Sequence, residues 1–274
     1  MKELILPVRY YRLYTDPDVA CVEENFHHVE LTWPLPAAQT ALVMVDVWDL
    51  HYIQSHEERS GRITRERLAP VVAACRETGM TIIHAPAPQT AHKYPQWTRY
   101  AGDGEFDTSK SEPPSDWPPE AFRKRTGEYE NFTKPWHEPV MDEWKKVEHK
   151  RRIVAAVAPH PDDFVIATGD QLHRLLRHRQ ILHLLYAGFA ANICVLYRDY
   201  GTRAMGAGAR GYNIILIRDC TTAIEAHDTF ASELLTKAAV LEIEMQVGYS
   251  TTSTAVIEAC RGVGKPNERT ADDA

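Results

Sequence analysis

No stretch of this 274-residue chain approaches the run of about 18 apolar residues that spans a bilayer, so no membrane partner is expected. Cysteine is scarce as well. Cys21, Cys75, Cys194, Cys220 and Cys260 are odd in number and widely spaced, which argues against a disulfide framework or a zinc ribbon and points to a reducing compartment. The N-terminal MKELILPVRYYRLY has neither the apolar core nor the small-residue cleavage site of a secretion signal, so a cytoplasmic protein is expected. Concentrated positive charge is also missing. The 31 Lys and Arg are outnumbered by 38 Asp and Glu, and no face or tail gathers bases, so nucleic acid is not an expected partner. The short run Lys145, Lys146, Lys150, Arg151 and Arg152 is interleaved with Glu148 and reads as a solvated helix face. No glycine-rich phosphate loop follows the first buried strand, which sets a nucleotide binder aside. There is no internal repeat and no low-complexity tract.

The chain is long enough, and at 44% hydrophobic apolar enough, to build one sizeable core without staples. ALVMVD (41–46) is a continuous apolar run ending in an acid, as in a strand buried on both faces of a parallel sheet. Helical spacing follows over 62–78, Gly79 stops it, and MTIIH (80–84) is the next strand. Residues 86–144 interrupt the alternation with nine of the 17 prolines and four of the six tryptophans. They read as an ordered insertion that caps something, with one short helix near 139–150. Alternation then resumes: strand 164–168, helix 170–179, strand 181–188, helix 192–206, strand 212–219, a helix capped by Asp228 and running to about Gly248, and a last helix over 252–261. The first forty residues read as an extra strand plus a packing arm, and the polar end KPNERTADDA as frayed. The pattern predicts an α/β fold, a doubly wound and mainly parallel sheet flanked by helices, in one domain with an N-terminal extension (1–40) and the insertion. Ligands of such sheets sit at the carboxyl ends of strands, which directs attention to Asp46, His84, Thr168, Gly188 and Asp219.

Two of these strand ends carry chemistry. GFAANICV (188–195) passes from a buried strand to a helix start, and Cys194 falls in the first turn. Unpaired N–H groups there favour a thiolate and can hold an oxyanion. The plainer reading is a small buried core cysteine. Asp46 ends the first buried strand, where a carboxylate is either in use or caps the next segment.

ALVMVDVWDLH, GFAANICV, RGYNIILIRDCTTA (with Asp219) and PHPDDFVI together resemble the isochorismatase-like cysteine hydrolases, over roughly residues 40–90 and 159–248. GFAANICV is the most specific piece, similar to the family's G-x-x-T-N-x-C-V turn. The resemblance implies a six-stranded parallel sheet, a homo-oligomer (dimer or tetramer) and an Asp–Lys–Cys triad in amide-cleaving members. It implies that Asp46 takes the thiol proton and Cys194 attacks a small amide, ureido or related carbonyl, giving a thioester. It further implies that the backbone N–H groups of Ala191 and Cys194 hold the oxyanion beside a cis peptide between Ala190 and Ala191. Members that cleave a vinyl ether typically lack a cysteine there, so Cys194 points to carbonyl chemistry.

The sequence departs from that pattern. No lysine follows the fourth strand, where Thr168 stands, so Lys134 or Arg99 of the insertion is a candidate replacement. Ala191 stands for the family threonine, and extra residues follow Cys194. A member that binds but does not turn over its ligand is therefore the alternative reading. His84, Trp48, His51, Thr168 and Ala190 are the expected pocket residues. Tyr52, Trp97, Trp117, Phe132 and Trp136 are further aromatic candidates for its wall. Asp49, His51 and His56 have the composition of a metal set, as His84 and His92 do in part, but with 13 histidines chance pairs are expected, and neither metal nor cofactor is predicted. The expected partner is a small-molecule substrate.

Overall fold

The computed structural model describes residues 2–99, 117–133 and 139–263. Eight strands form one sheet: β1 (Glu3–Arg12), β2 (His27–Pro36), β3 (Thr40–Val45), β4 (Thr81–Ala85), β5 (Phe164–Val165), β6 (His183–Phe189), β7 (Asn213–Thr222) and β8 (Tyr249–Thr251). Their order is β2-β1-β8-β7-β6-β3-β4-β5. The six strands from β8 to β5 are mutually parallel, as expected from the alternating helices. The first forty residues depart from the expected single strand and arm. They form a long antiparallel ribbon, β1 on β2, that joins the edge of the sheet through Arg9 and Ser250.

Every residue of β3 is buried, because helices cover both faces of this central strand. The helices Gln54–Ile63 and Ala69–Thr78, joined through a π-helical turn at Thr64–Leu68, lie on one face with Ser253–Gly262. Gly169–Arg179 and Leu234–Gln246 pack on the other. Gly79 ends its helix in the left-handed region at φ 79°, a C-cap for which glycine carries no steric penalty.

Three departures have local causes. β7 runs three residues past its expected end, so Asp219 lies within a strand and its carboxylate accepts from the N–H and hydroxyl of Ser253. The short β8, unpredicted, precedes the last helix, whose N-cap is Thr252. The expected helix 192–206 breaks into Cys194–Tyr197 and Thr202–Met205. The break is pinned: the Gly169 N–H donates to the Asp199 carboxylate at 2.7 Å, and the Tyr200 hydroxyl donates to the Pro86 carbonyl. Asp228 caps nothing; the long helix starts six residues later, after Glu233. The end from 264 onward lies outside the described residues.

Among the described residues no helix is long and apolar enough to cross a membrane.

Candidate functional site

The chain reverses direction across the sheet between β3 and β6. From β3 it builds outward through β4 and β5; from β6 it builds the other way through β7 and β8. The carboxyl ends of β3 and β6 therefore diverge into a crevice, the usual ligand position in such sheets. Asp46 follows β3 directly, and the turn to Cys194 follows β6.

Both segments have demanding backbones. Asp46 sits at φ 47°, in the left-handed region where a non-glycine residue is uncommon. Gly188 has φ 119°, and a Cβ on it would stand 2.0 Å from the Val45 carbonyl oxygen, so no other residue fits beside β3. A cis peptide joins Phe189 to Ala190, one residue earlier than expected. Asn192 closes the turn by a reciprocal pair, its side chain donating to the Ile224 carbonyl and accepting from the Ile224 N–H.

Asp46 and Cys194 line one cavity of about 180 Å³. Trp48, His51 and Ala190, also expected at the pocket, line it too, and so do Tyr52, His56, Phe189, Ile193 and Ile224. Asp46 is buried. The Arg198 Nε donates to its Oδ2 at 3.1 Å, and Nη2 lies 3.1 Å from the same oxygen. Oδ1 is buried with no hydrogen-bond partner. Burial raises the Asp46 pKa, opposed by the Arg198 charge and by the Cys194 thiol. Burial and the adjacent Asp46 push Cys194 up to about 12, with Arg198 and the Ala190 backbone opposing.

Other expectations are corrected. His84 is buried beneath the sheet end, its Nε2 3.1 Å from Asp163 Oδ2, and is not among the cavity residues. Asp163 also accepts from Arg76 and from the His160 N–H, so this ring belongs to a structural ion network. Thr168 caps the helix Gly169–Arg179, its hydroxyl accepting from the Gln171 N–H, and does not reach the cavity. The Ala191 N–H donates to the Thr222 carbonyl at 2.9 Å and is not available to an oxyanion.

The cations beside the site differ from those expected. Arg99 stacks on Trp97, and Lys134 lies outside the described residues. Arg198, one turn beyond Cys194, and Arg151 take the place instead. The run containing Arg151 is not a solvated face at this position. The Arg151 guanidinium is half-buried, 3.6 Å from the centre of the Trp48 ring and 4.7 Å from that of Trp144, and its charge is felt by Asp46 and Cys194. An isolated bridge between Trp48 and Ile153 draws this segment alongside the end of β3. A cation one turn after the nucleophile was a signal available in the sequence; nothing there marked Arg151 off from its basic neighbours.

Among the aromatic candidates, Trp97 donates to Gln171, and Trp117 and Phe132 are exposed. Trp136 lies outside the described residues. The described part of the insertion reaches the pocket wall through the helix Pro139–Val147, whose Trp144 packs near His51 and Tyr52. His51 and His56 meet edge to face at 5.0 Å between ring centroids, but Asp49 does not join them. The Asp49 carboxylate accepts from the Arg152 N–H and His51 Nδ1 from the Ile53 N–H, and among the described residues no His/Cys/Asp/Glu group is arranged to hold a metal.

The family profile described as "Isochorismatase domain" matches residues 40–245. A cysteine hydrolase from Pseudomonas syringae pv. phaseolicola is 18% identical, with 84% of this chain and 96% of that one covered at a TM-score of 0.53. An isochorismatase family protein from Burkholderia thailandensis is 19% identical, with 82% and 96% covered at a TM-score of 0.47. No curated protein matches the sequence significantly.

Proposed function

Starting from a chain that belongs to the isochorismatase family, we propose that it is a cysteine hydrolase, with Cys194 as nucleophile and Asp46 as proton carrier, cleaving the C–N bond of a small amide or ureido compound. The observation that carries this reading is the division of labour on Asp46. Arg198 occupies Oδ2, Oδ1 is buried without a partner, and Cys194 lines the same cavity as this carboxylate. A buried acceptor without a donor is costly, and a thiol proton satisfies it.

The resting thiol is held protonated by burial and by the neighbouring carboxylate. Attack therefore proceeds with transfer of the thiol proton to Asp46 Oδ1 as sulfur bonds to the carbonyl carbon. The oxyanion that forms lies against backbone donors. The Ala190 N–H faces the Cys194 sulfur and replaces the expected Ala191. The Cys194 N–H opens a helical turn and has no intrahelical acceptor. Collapse breaks the C–N bond, Asp46 returns the proton to the departing amine, and a thioester remains. Water, deprotonated by Asp46, then cleaves the thioester and restores the thiol. Arg198 opposes the burial that raises the Asp46 pKa, and Arg151 adds positive charge where the family lysine is absent.

A cavity of about 180 Å³ is smaller than the ~300 Å³ lower bound of ordinary ligand pockets, so the substrate is compact.

The test is ammonia release from a panel of small primary amides and ureides, with acid-quenched mass spectrometry of the Cys194 peptide. The expected result is turnover and an acyl adduct on Cys194 in the wild type, both lost in Cys194→Ala. Turnover that survives Cys194→Ala overturns the reading. Ligand binding without any turnover favours the binding-protein alternative.

A further inference from the structure

The carboxyl end of β7 and the two residues beyond it, Thr221–Ile224, carry the nucleophile turn. The Thr221 hydroxyl donates to the Gly188 carbonyl at 2.7 Å, and the Ala191 N–H donates to the Thr222 carbonyl at 2.9 Å. Asn192 pairs both ways with Ile224. The turn that leads to Cys194 is therefore docked on this segment at three successive points. Asp46 is set by other elements: it follows β3 directly, and its N–H donates to the Ala85 carbonyl at the end of β4. The separation of sulfur and carboxylate thus depends on how firmly Thr221–Ile224 is held from its far side.

Arg59, on the helix Gln54–Ile63, does much of that holding. The residue is only 8% exposed. Its Nε donates to the Thr222 hydroxyl at 2.7 Å and its Nη2 to the Ala223 carbonyl at 2.8 Å. The guanidinium carbon lies 5.2 Å from the centre of the Phe230 ring. Thr236 completes the support, its hydroxyl accepting from the Ala223 N–H. Among the described residues no carboxylate pairs with Arg59. A buried cation without a counter-ion is costly, and what offsets the cost here is shape. One edge of the planar guanidinium spans acceptors on two consecutive residues, which the point charge of a lysine does not match. His56 and Ser60, three residues before Arg59 and one after it on the same helix, line the catalytic cavity, and so does Ile224. Arg59 therefore joins two walls of that cavity from behind without lining it.

We propose that Arg59 is a positioning residue of this site: its guanidinium edge clamps Thr222 and Ala223, and so holds the docked nucleophile turn where the Cys194 thiol can pass its proton to Asp46. The inference rests on the nucleophile reading above and adds a residue that touches neither the substrate nor the sulfur. A misplacement of about 1 Å costs about a hundredfold in rate, so slack in the clamp is felt at the sulfur.

The test follows alkylation of Cys194 by iodoacetamide from pH 6 to 9, resolved by mass spectrometry from the exposed Cys21. A thiol pushed up to about 12 that reacts only as free thiolate gains about tenfold in rate per unit of pH across this window. A thiol whose proton passes to a carboxylate during attack reacts at a rate that levels off once the carboxylate is ionised. The levelled profile is therefore a signature of correct placement, and loss of stability alone does not remove it from the folded fraction. Labelling of the buried Cys75 and Cys220 reports any unfolded fraction. The expected result is a levelled profile in the wild type and a steadily rising one in Asp46→Asn. Arg59→Met, Arg59→Lys and Thr222→Val should also rise, with rates at pH 7 about a hundredfold below wild type. Thr222→Ser, which keeps the hydroxyl acceptor, should stay level. If Arg59→Met fails to fold, Arg59→Lys and the two Thr222 variants decide. Levelled profiles in Arg59→Met and Thr222→Val, with Asp46→Asn rising, overturn the clamp and leave the nucleophile reading standing. A wild-type profile in Arg59→Lys overturns it too, since charge alone then suffices. A wild-type rate that climbs as in Asp46→Asn, or a Cys194 unlabelled until denaturation, brings down the nucleophile reading and this one with it.

Discussion

Arg198 directs its Nε and Nη2 at a single oxygen of Asp46, Oδ2, each 3.1 Å away, and leaves Oδ1 buried and unpartnered in the carboxylate that shares a cavity with Cys194. One carboxylate thus has an oxygen committed to charge balance and an oxygen free for a proton. Replacing Asp46 by Asn keeps the shape and removes the base. Asp46→Asn should lower kcat/KM by about 10²–10⁴-fold, the usual span for a general base, with little change in thermal stability. Single-turnover assays beside a melting curve separate the two effects. A loss below tenfold would remove Asp46 from the proton path.

How far this arrangement was legible depends on the range of the interactions. β3, the turn at Gly188–Cys194 and the helix ending at Gly79 are set by local pattern, and their positions follow from runs of apolar residues and a glycine. Asp46 and Cys194 were legible because strand ends in a parallel sheet point to one edge. Arg151 was not, because its burial comes from Trp48 and Trp144, one of them more than a hundred residues away in sequence. His84 and Thr168 end or follow strands as expected, but their side chains are already engaged, by Asp163 and by a helix N-terminus, and periodicity does not record such partners. Ala191 lost its expected role for the same reason, its N–H being spent on the extension of β7 that the sequence pattern cut short.

Gly188→Ala should be the most damaging single-methyl change in the chain. The added carbon would lie 2.0 Å from the Val45 carbonyl oxygen, and the residue's φ of 119° is one that alanine avoids. Strain and steric displacement in a fully packed sheet place the cost above about 4 kcal/mol, the range reserved for severe lesions. The expected outcome is insoluble protein or a fall in Tm of more than roughly 8 °C. A soluble variant with an unchanged Tm would mean that β6 and β3 can separate at this point.

The two pocket histidines should make the protein sensitive to acid. Burial lowers both His51 and His56 to about 4; His51 is lowered further by the charge of His56, and His56 by that of Arg59. The unfolded rings titrate near 6.5. A base whose folded pKa is depressed binds fewer protons in the fold, so its stabilising effect is complete above about pH 6.5 and is lost as pH falls toward 4. Urea midpoints measured from pH 7 to 4 should therefore decline, and the decline should be shallower in His56→Gln. A flat wild-type profile across this window would contradict neutral burial of these rings.

Arg198 is expected to set the acid limb of the pH–rate profile. Burial raises the Asp46 pKa, and the Arg198 charge is the largest force opposing it. Removing that charge in Arg198→Met leaves the desolvation unopposed at close range, so the pKa climbs further. A carboxylate with a higher pKa is ionised only at higher pH, and the base form is what accepts the thiol proton. The acid limb of kcat/KM should accordingly move to higher pH in Arg198→Met, and by less in Arg198→Lys, which restores a charge without the paired geometry. At a pH well above the shifted limb the Met variant should recover most of its rate. A uniform loss of rate with the limb in its wild-type place would show instead that Arg198 acts by holding the loop after Cys194, which Asp199 already ties to the Gly169 N–H, and that Asp46 keeps its charge without Arg198.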